Sequence, residues 1–199
     1  MASGLNSLAL RGAHKPRAGA YIMGMQVLER GDERLTFKAG KVMDLADPEF
    51  QAFLDKLTLT GLDYQGVGIA APQVGVSSRV FIMAPRPNPR YPDAPLIEPF
   101  AVINPIMLGA SDEMEIGWEG CLSVPGFRAQ VPRHLEVDVE FTDRQGSLRQ
   151  ERFSGFLARL FQHEFDHLEG ILYPERLPSG NALVTLEEFT ALTGIQVPR

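Results

Sequence analysis

One pentapeptide constrains this chain more than any other segment: His163-Glu164-Phe165-Asp166-His167. Its surroundings predict a helix from the N-cap Ser154 to about Glu169, with Gly170 as the stop. Residues four positions apart lie on one face of a helix, so both imidazoles can reach a single metal ion. This H-E-x-x-H pattern is typical of hydrolytic metal sites, where Glu164 lies beside a water molecule at the metal.

The predicted helix is apolar almost all the way round, which is typical of a helix buried in a core. Two histidines and an acid buried in such a helix need partners, and a metal ion supplies them. Asp166 is predicted to have a structural role and to pair with Arg133, because a buried carboxylate requires a cation.

The segments before this helix predict strands. Residues His134 to Thr142 alternate between apolar and acidic side chains, Asp143 to Gly146 supply a turn, and Ser147 to Phe153 complete a hairpin. Strands followed by a buried helix predict an α+β fold, with antiparallel sheets packed around the central helix that carries H-E-x-x-H.

Two further segments are predicted from local patterns. A packing helix opens at Asp47-Pro48 and is expected to close at Gly61. Arg79 to Met83 form a strand, and the proline-rich stretch 85–99 forms an irregular surface loop.

The enzyme class depends on a third metal ligand, for which the sequence offers three possibilities. A metzincin would place a third histidine where this chain has Tyr173, so that possibility fails. A thermolysin-like protease would use a downstream glutamate, here Glu187. The third possibility is Cys121, the single cysteine of the chain; a thiolate with two imidazoles suits zinc or ferrous iron.

Three separated motifs resolve this choice through a family resemblance. They are the glycine-rich Gly66-Val67-Gly68-Ile69-Ala70-Ala71-Pro72-Gln73, then Glu119-Gly120-Cys121-Leu122-Ser123, then the Q-H-E-F-D-H that contains His163. Together they resemble the three signature motifs of the peptide deformylases. The resemblance spans about Val27 to Leu177, and neither the glycine loop nor the cysteine motif fits a thermolysin-like protease.

The resemblance implies a metal-dependent hydrolase that removes the N-formyl group from the N-terminal formylmethionine of newly synthesised polypeptides and releases formate. It implies one divalent metal ion per chain, ferrous iron as the native ion and zinc, nickel or cobalt as substitutes, held by Cys121, His163 and His167. A thermolysin-like zinc protease with Glu187 as third ligand and a catalytically silent formyl-peptide binder of the same fold remain as alternatives.

The residues of the three motifs can be given catalytic roles. Glu164 is expected to accept a proton from water and to hand it to the leaving amine. The side-chain amide of Gln73 and the backbone N–H of Leu122 are expected to stabilise the oxyanion, as the matching positions do in the family.

Methionine selectivity requires an apolar pocket beside the metal, and the peptide requires backbone to lie against. The stem of Arg159 is expected to line the pocket while its head reaches water, and Arg128 is expected to cover the same slot. The residues predicted to contact the substrate are Gly66, Gly68, Arg128, Phe156, Arg159 and Leu160.

Composition limits the cellular setting. The 199 residues, 44% of them hydrophobic, predict one catalytic domain over 25–199, preceded by an extension over 1–24 that resembles a leader, tag or transit peptide. A net charge of −6 argues against direct nucleic-acid binding, and no apolar run is long enough for a membrane helix.

A single cysteine fits a reducing compartment. The expected location is a bacterial-type cytoplasm, or an organelle if 1–24 is a transit peptide. The expected partners are formylmethionyl nascent peptides, with the ribosome contacted transiently if at all.

Overall fold

The computed structural model describes residues 24–89, 91–92 and 94–197, so the predicted extension lies outside the described residues except for Gly24. Helices and strands follow one another along the chain in this order: α1 Pro48–Asp63, β1 Gly68–Ala70, β2 Val80–Met83, β3 Phe100–Ala110, β4 Met114–Cys121, β5 Val124–His134, β6 Glu136–Thr142, β7 Leu148–Ser154, α2 Gly155–Leu168, β8 Val184–Thr185 and α3 Leu186–Thr193.

Two antiparallel sheets surround helix α2. The first has the strand order β1-β2-β3-β6-β7 and the second has the order β4-β5-β8. Helix α2 contacts strands of both sheets, and this arrangement confirms the predicted α+β fold with a central buried helix. The predicted hairpin is also confirmed: β6 pairs with β7 along its whole length, and Val137, Val139 and Phe141 of β6 are buried.

Helix α2 is buried on nearly every side because apolar rings surround it. Phe161 packs edge-on against Phe81 of β2, with ring centroids 5.4 Å apart, and against Phe153 of β7. The four ionisable residues of the H-E-x-x-H segment are each at most 9% exposed to solvent. These side chains therefore depend on one another, and on whatever they bind, for polar partners.

The predicted N-cap of α2 has the right position but not the predicted contact. Ser154 directly precedes the helix, yet its side chain makes no capping hydrogen bond. The reason is that Ser154 is still part of β7, where it is paired with Glu136, and the following Gly155 donates its N–H to the Leu135 carbonyl.

The predicted end of α1 at Gly61 is wrong, because the helix continues to Asp63. Its hydrogen bonds persist beyond the glycine: the N–H of Tyr64 donates to the Thr60 carbonyl at 3.1 Å. The chain turns instead at Gln65, whose φ is 54°.

Candidate active site

Three potential metal ligands converge at the centre of the molecule. His163 and His167 project from one face of α2, and Cys121 ends β4. One donor atom from each of the three lies within 4.8 Å of the others. The Sγ atom of Cys121 is 3.3 Å from Nε2 of His167. Within the described part of the chain this is the one group of three or more such residues that could hold a metal ion.

The polar contacts of the histidines fit a metal ion at this position. Nδ1 of His163 donates to Oε2 of Glu119 at 2.8 Å, which leaves Nε2 for a ligand bond. Burial lowers the pKa of His167, which favours its neutral, ligating form. By contrast, Glu187 is exposed on α3 and is not part of the group, so the thermolysin-like alternative loses its third ligand.

A tight turn between β4 and β5 presents the cysteine. Cys121 pairs with Val124 across this turn, and the backbone N–H of Ser123 donates to Sγ of Cys121 at 3.4 Å. Leu122, between them, faces the pocket described below.

The carboxyl group of Glu164 lies against β1 with unsatisfied bonding capacity. It packs so closely on Gly68 that a Cβ atom there would overlap it. Its Oε2 atom is buried and has no hydrogen-bond partner among the described residues. Burial raises the pKa of Glu164 to about 7, so this group can hold or release a proton near neutrality.

The Gln73 side chain is held so that its N–H groups face the cysteine. Oε1 of Gln73 accepts a hydrogen bond from the Ala70 N–H at 2.8 Å. Nε2 then donates to Sγ of Cys121 at 3.4 Å and to Oγ of Ser123 at 3.2 Å. The amide is thus a fixed donor at the edge of the ligand cluster.

A pocket opens beside the cluster, and it brings the predicted residues together. All six predicted substrate-contacting residues line it, as do Gln73, Leu122, Glu164, Cys121 and His163. His167 is not among the lining residues. Tyr91 also lines the pocket, with its ring 5.5 Å from that of Phe156. No sequence pattern pointed to Tyr91, because it falls in the proline-rich loop.

Arg128 covers one side of this pocket. Its guanidinium group lies directly over Gly120, donates from Nη1 to the Phe127 carbonyl at 2.8 Å and packs 6.0 Å from the ring centroid of Phe189 in α3. The C-terminal helix therefore supports the residue that was expected to cover the slot.

The prediction that the head of Arg159 reaches water is wrong. Its Nη1 donates to the Val131 carbonyl at 2.8 Å and to Oε1 of Glu119 at 3.1 Å. Its Nη2 donates to the Glu115 carbonyl at 2.8 Å. Oxygen atoms of the β4–β5 hairpin take the place of the solvent, and the residue is only 9% exposed.

Glu119 is a buried site residue to which the sequence reasoning gave no role. Arg133 binds it through Nε at 2.9 Å and Nη2 at 3.0 Å, in addition to the contacts from Arg159 and His163. Burial alone would raise the pKa of Glu119, but the hydrogen bonds from His163 and Arg133 hold it well below its ordinary value. Strand alternation offered a signal, because Glu119 lies two positions before Cys121 and so shares its side of β4.

The predicted pairing of Asp166 with Arg133 is confirmed, with Nη1 of Arg133 2.6 Å from Oδ2 of Asp166. Arg176 also binds Asp166, through Nη2 at 2.6 Å and Nε at 3.1 Å. A connected network of polar contacts therefore runs from the potential ligand His163, through Glu119 and Arg133, to Asp166 near the end of α2.

A family model described as Polypeptide deformylase matches residues 25–182. The chain belongs to the polypeptide deformylase family. The predicted resemblance is confirmed by this match and by the named relatives, which are peptide deformylases matched over most of their own length.

Among curated relatives, peptide deformylase 2 of a Nostoc species is 49% identical over 84% of this chain and 94% of its own length. Peptide deformylase 1 of Bordetella pertussis is 45% identical over 76% of this chain and 86% of its own length. A solved structure of an Acinetobacter baumannii class I type b peptide deformylase bound to Met-Ala-Ser is 46% identical, with a TM-score of 0.77, covering 78% of this chain and 99% of that one.

No helix within the described ranges is both long enough and apolar enough to span a membrane.

Proposed function

We propose that this chain hydrolyses the N-formyl group of formylmethionine at the N-terminus of newly synthesised polypeptides and releases formate. The observation that carries the proposal is the meeting of all three family motifs at one pocket. Gln73, Cys121 and His163 come from distant parts of the chain, and all three line it.

The ligand cluster fits one divalent metal ion, with Cys121, His163 and His167 as its protein ligands. A buried thiol beside two imidazoles is a good donor set for zinc or ferrous iron. When bound, such an ion acts as a Lewis acid and lowers the pKa of water towards neutrality. We propose ferrous iron as the native ion, with zinc, nickel or cobalt as substitutes.

Glu164 moves the proton in this reaction. The oxygen of water adds to the formyl carbon, and Glu164 accepts the proton that the water loses. The same carboxyl group then donates that proton to the amine nitrogen as the C–N bond breaks, so that formate and a free amino terminus leave. Its pKa of about 7 and its unpartnered Oε2 atom suit both directions of transfer.

The negative charge that develops on the formyl oxygen requires fixed donors. Nε2 of Gln73 is such a donor, since Ala70 fixes the orientation of its amide. The backbone N–H of Leu122 is the second, next to the ligand Cys121. Neither donor has to reorganise during the reaction, which is the source of their effect on the rate.

The peptide binds in extended form along β1. This strand is at the edge of its sheet, so its outer side can accept an added strand. Gly66 and Gly68 allow the close approach, and Phe156 and Leu160 give the methionine side chain an apolar wall. The expected partner is therefore a flexible formylated N-terminus. A ribosome is contacted transiently if at all, and the proposed location is the cytoplasm.

Formate release from formyl-Met-Ala-Ser, with metal content measured on the same sample, tests this function. We expect formate with the wild type, and we expect Cys121→Ser to lose most of the metal or most of the activity, because a hydroxyl replaces the thiolate poorly. Unformylated Met-Ala-Ser is the control substrate.

The alternatives give different results in the same assay. A thermolysin-like protease would cut internal peptide bonds of a longer formylated peptide and leave the formyl group in place, which mass spectrometry detects. A silent binder would bind the formylated peptide and release nothing. Full metal occupancy and a wild-type rate in Cys121→Ser would remove Cys121 from the ligand set.

A further inference from the structure

The Arg159 side chain is buried at the wall of the substrate pocket, and its guanidinium group contacts Glu119, the partner of His163. It lines the pocket, and its Nη1 atom reaches both Oε1 of Glu119 and the Val131 carbonyl. An apolar side chain would line the pocket equally well and would not need buried hydrogen-bond partners. The geometry therefore indicates a task besides lining the pocket.

Gly117 on β4 provides the space for this group. A Cβ atom at Gly117 would lie 2.7 Å from Cζ and 2.8 Å from Nη2 of Arg159, closer than real Cβ contacts. Any other residue at 117 would displace the guanidinium group from its position. The arginine and the glycine therefore form a matched pair across α2 and β4.

The contact continues from Arg159 to the metal ligand through a single carboxylate. Glu119 accepts from Arg159 on Oε1 and from Nδ1 of His163 on Oε2. Arg133 binds both oxygens from another direction. With two guanidinium groups holding it, the Glu119 carboxylate has a fixed orientation, and it fixes the ring of His163 in turn.

We infer that Arg159 is a positioning residue, which sets the orientation of the ligand His163 through Glu119 and connects the substrate pocket wall to the metal centre, with Gly117 as its required partner. The inference rests on the proposed function only in taking the pocket as the substrate pocket. The contacts of Arg159 do not depend on that function. It predicts that disturbing this wall alters the metal centre as well as substrate affinity.

Cobalt-loaded protein tests the inference with two readouts besides activity. The first is the Co²⁺ dissociation constant from competition with a chelator, and the second is the visible absorption spectrum of the bound cobalt. Turnover and KM with formyl-Met-Ala-Ser are measured in parallel. The variants are Arg159→Leu, Arg159→Lys, Gly117→Ala and the double variant. Arg152→Leu is the matched control, since Arg152 is an exposed residue of β7 that binds Asp138 of β6.

We expect Arg159→Leu to weaken cobalt binding roughly tenfold. This is the lower end of the effect seen when a residue that supports a metal ligand is removed, because Arg133 still holds Glu119. The cobalt spectrum should change, and turnover should fall more than KM rises. Arg159→Lys should recover most of the affinity, since its ammonium group restores a charge beside Glu119. Gly117→Ala should resemble Arg159→Leu, and the double variant should be no worse than Arg159→Leu.

Unchanged cobalt affinity and spectrum in Arg159→Leu, with a change in KM alone, would reduce Arg159 to a pocket wall. Additive effects of Gly117→Ala and Arg159→Leu would contradict the pairing. If Arg159→Leu does not fold, Gly117→Ala and Arg159→Lys decide the same question. A wild type that releases no formate would overturn the proposed function, while the cobalt measurements would still test this inference independently.

Discussion

At the scale of single residues, the reaction depends on where protons and charges are placed around the pocket. Glu164 is buried, packs on Gly68 and leaves Oε2 unpartnered. Such a carboxyl group is costly for folding, because a buried polar atom without a partner loses its hydration. The proposed proton transfer would account for its place in the core, because a group that titrates near neutrality is well suited to it.

Glu164→Gln is expected to keep the metal and lose turnover by roughly 10²–10⁴-fold, the usual loss when a general acid–base is removed. The amide has nearly the same shape but cannot accept and return a proton. Formate release and metal content together check this outcome. Glu151→Gln is the control, because Glu151 is half-exposed on β7 and does not line the pocket. Loss of metal in Glu164→Gln would make Glu164 a ligand or a support for one.

Gln73→Ala is expected to lower turnover by roughly 10²–10³-fold, as removal of an oxyanion donor does. The effect should fall on kcat, since the donor acts on charge that develops only in the transition state. Steady-state kinetics with formyl-Met-Ala-Ser separate kcat from KM. A change limited to KM would recast Gln73 as a substrate-binding residue.

At the scale of secondary-structure elements, the β4–β5 hairpin and the C-terminal arm of β8 and α3 form one side of the site. Strand β8 pairs with β5 at Phe127 and Arg128. Phe189 of α3 is buried, meets the Trp118 ring edge-on at 5.1 Å and lies under the Arg128 guanidinium group. The arm thus holds Arg128 over the pocket by packing.

Phe189→Ala is expected to loosen this arm and raise the KM for formyl-Met-Ala-Ser several-fold, with kcat largely kept, because the ligands and Glu164 are on other elements. Truncation of a buried phenylalanine costs about 3–5 kcal/mol when the cavity cannot collapse. Phe189→Leu is the matched control, and thermal unfolding accompanies the kinetics. A fall in kcat at constant KM would show that the arm affects the chemistry directly.

The elements differ in how well the sequence predicted them. The β6–β7 hairpin followed from strict alternation, and α2 followed from the start and stop signals around a long apolar segment. The β4–β5 hairpin was not predicted, because Gly117 and Gly120 interrupt β4 where Arg159 and Arg128 pack on its backbone. Helical spacing placed Arg159 on the face of α2 that lines the pocket. Spacing identifies a face of the helix but not a hydrogen-bond partner, so the contact of Arg159 with Glu119 was missed.

At the scale of the whole molecule, the site joins parts of the chain that are far apart in sequence. Gln73 follows the first sheet's edge strand, Cys121 belongs to the second sheet, and His163 belongs to the helix between them. A metal ion bound at this point connects β4 to α2 directly. Metal binding should therefore stabilise the complete fold, by about 4 kcal/mol when the free ion is at 1,000 times its dissociation constant.

The identity of the proposed metal is expected to affect how long the enzyme keeps its activity. We expect anaerobically prepared iron protein to outperform the zinc form and to lose activity in air, through loss of ferrous iron and oxidation of the Cys121 thiolate. Nickel or cobalt protein should be active and longer-lived. Formate release over time, in air and under anaerobic conditions, checks this. A zinc form that equals freshly loaded iron, together with air-stable iron activity, would contradict it.

Cys121 is the single cysteine of the chain, and its sulfur is among the three converging donor atoms. A chromogenic thiol reagent therefore has one target per molecule and no background from other thiols. A sulfur bonded to a metal is withheld from such a reagent, whereas the sulfur of a vacant site is available once the reagent gains access. The number of reactive thiols per chain thus counts the fraction of molecules without metal, so occupancy can be followed in real time during loading, chelation or exposure to air.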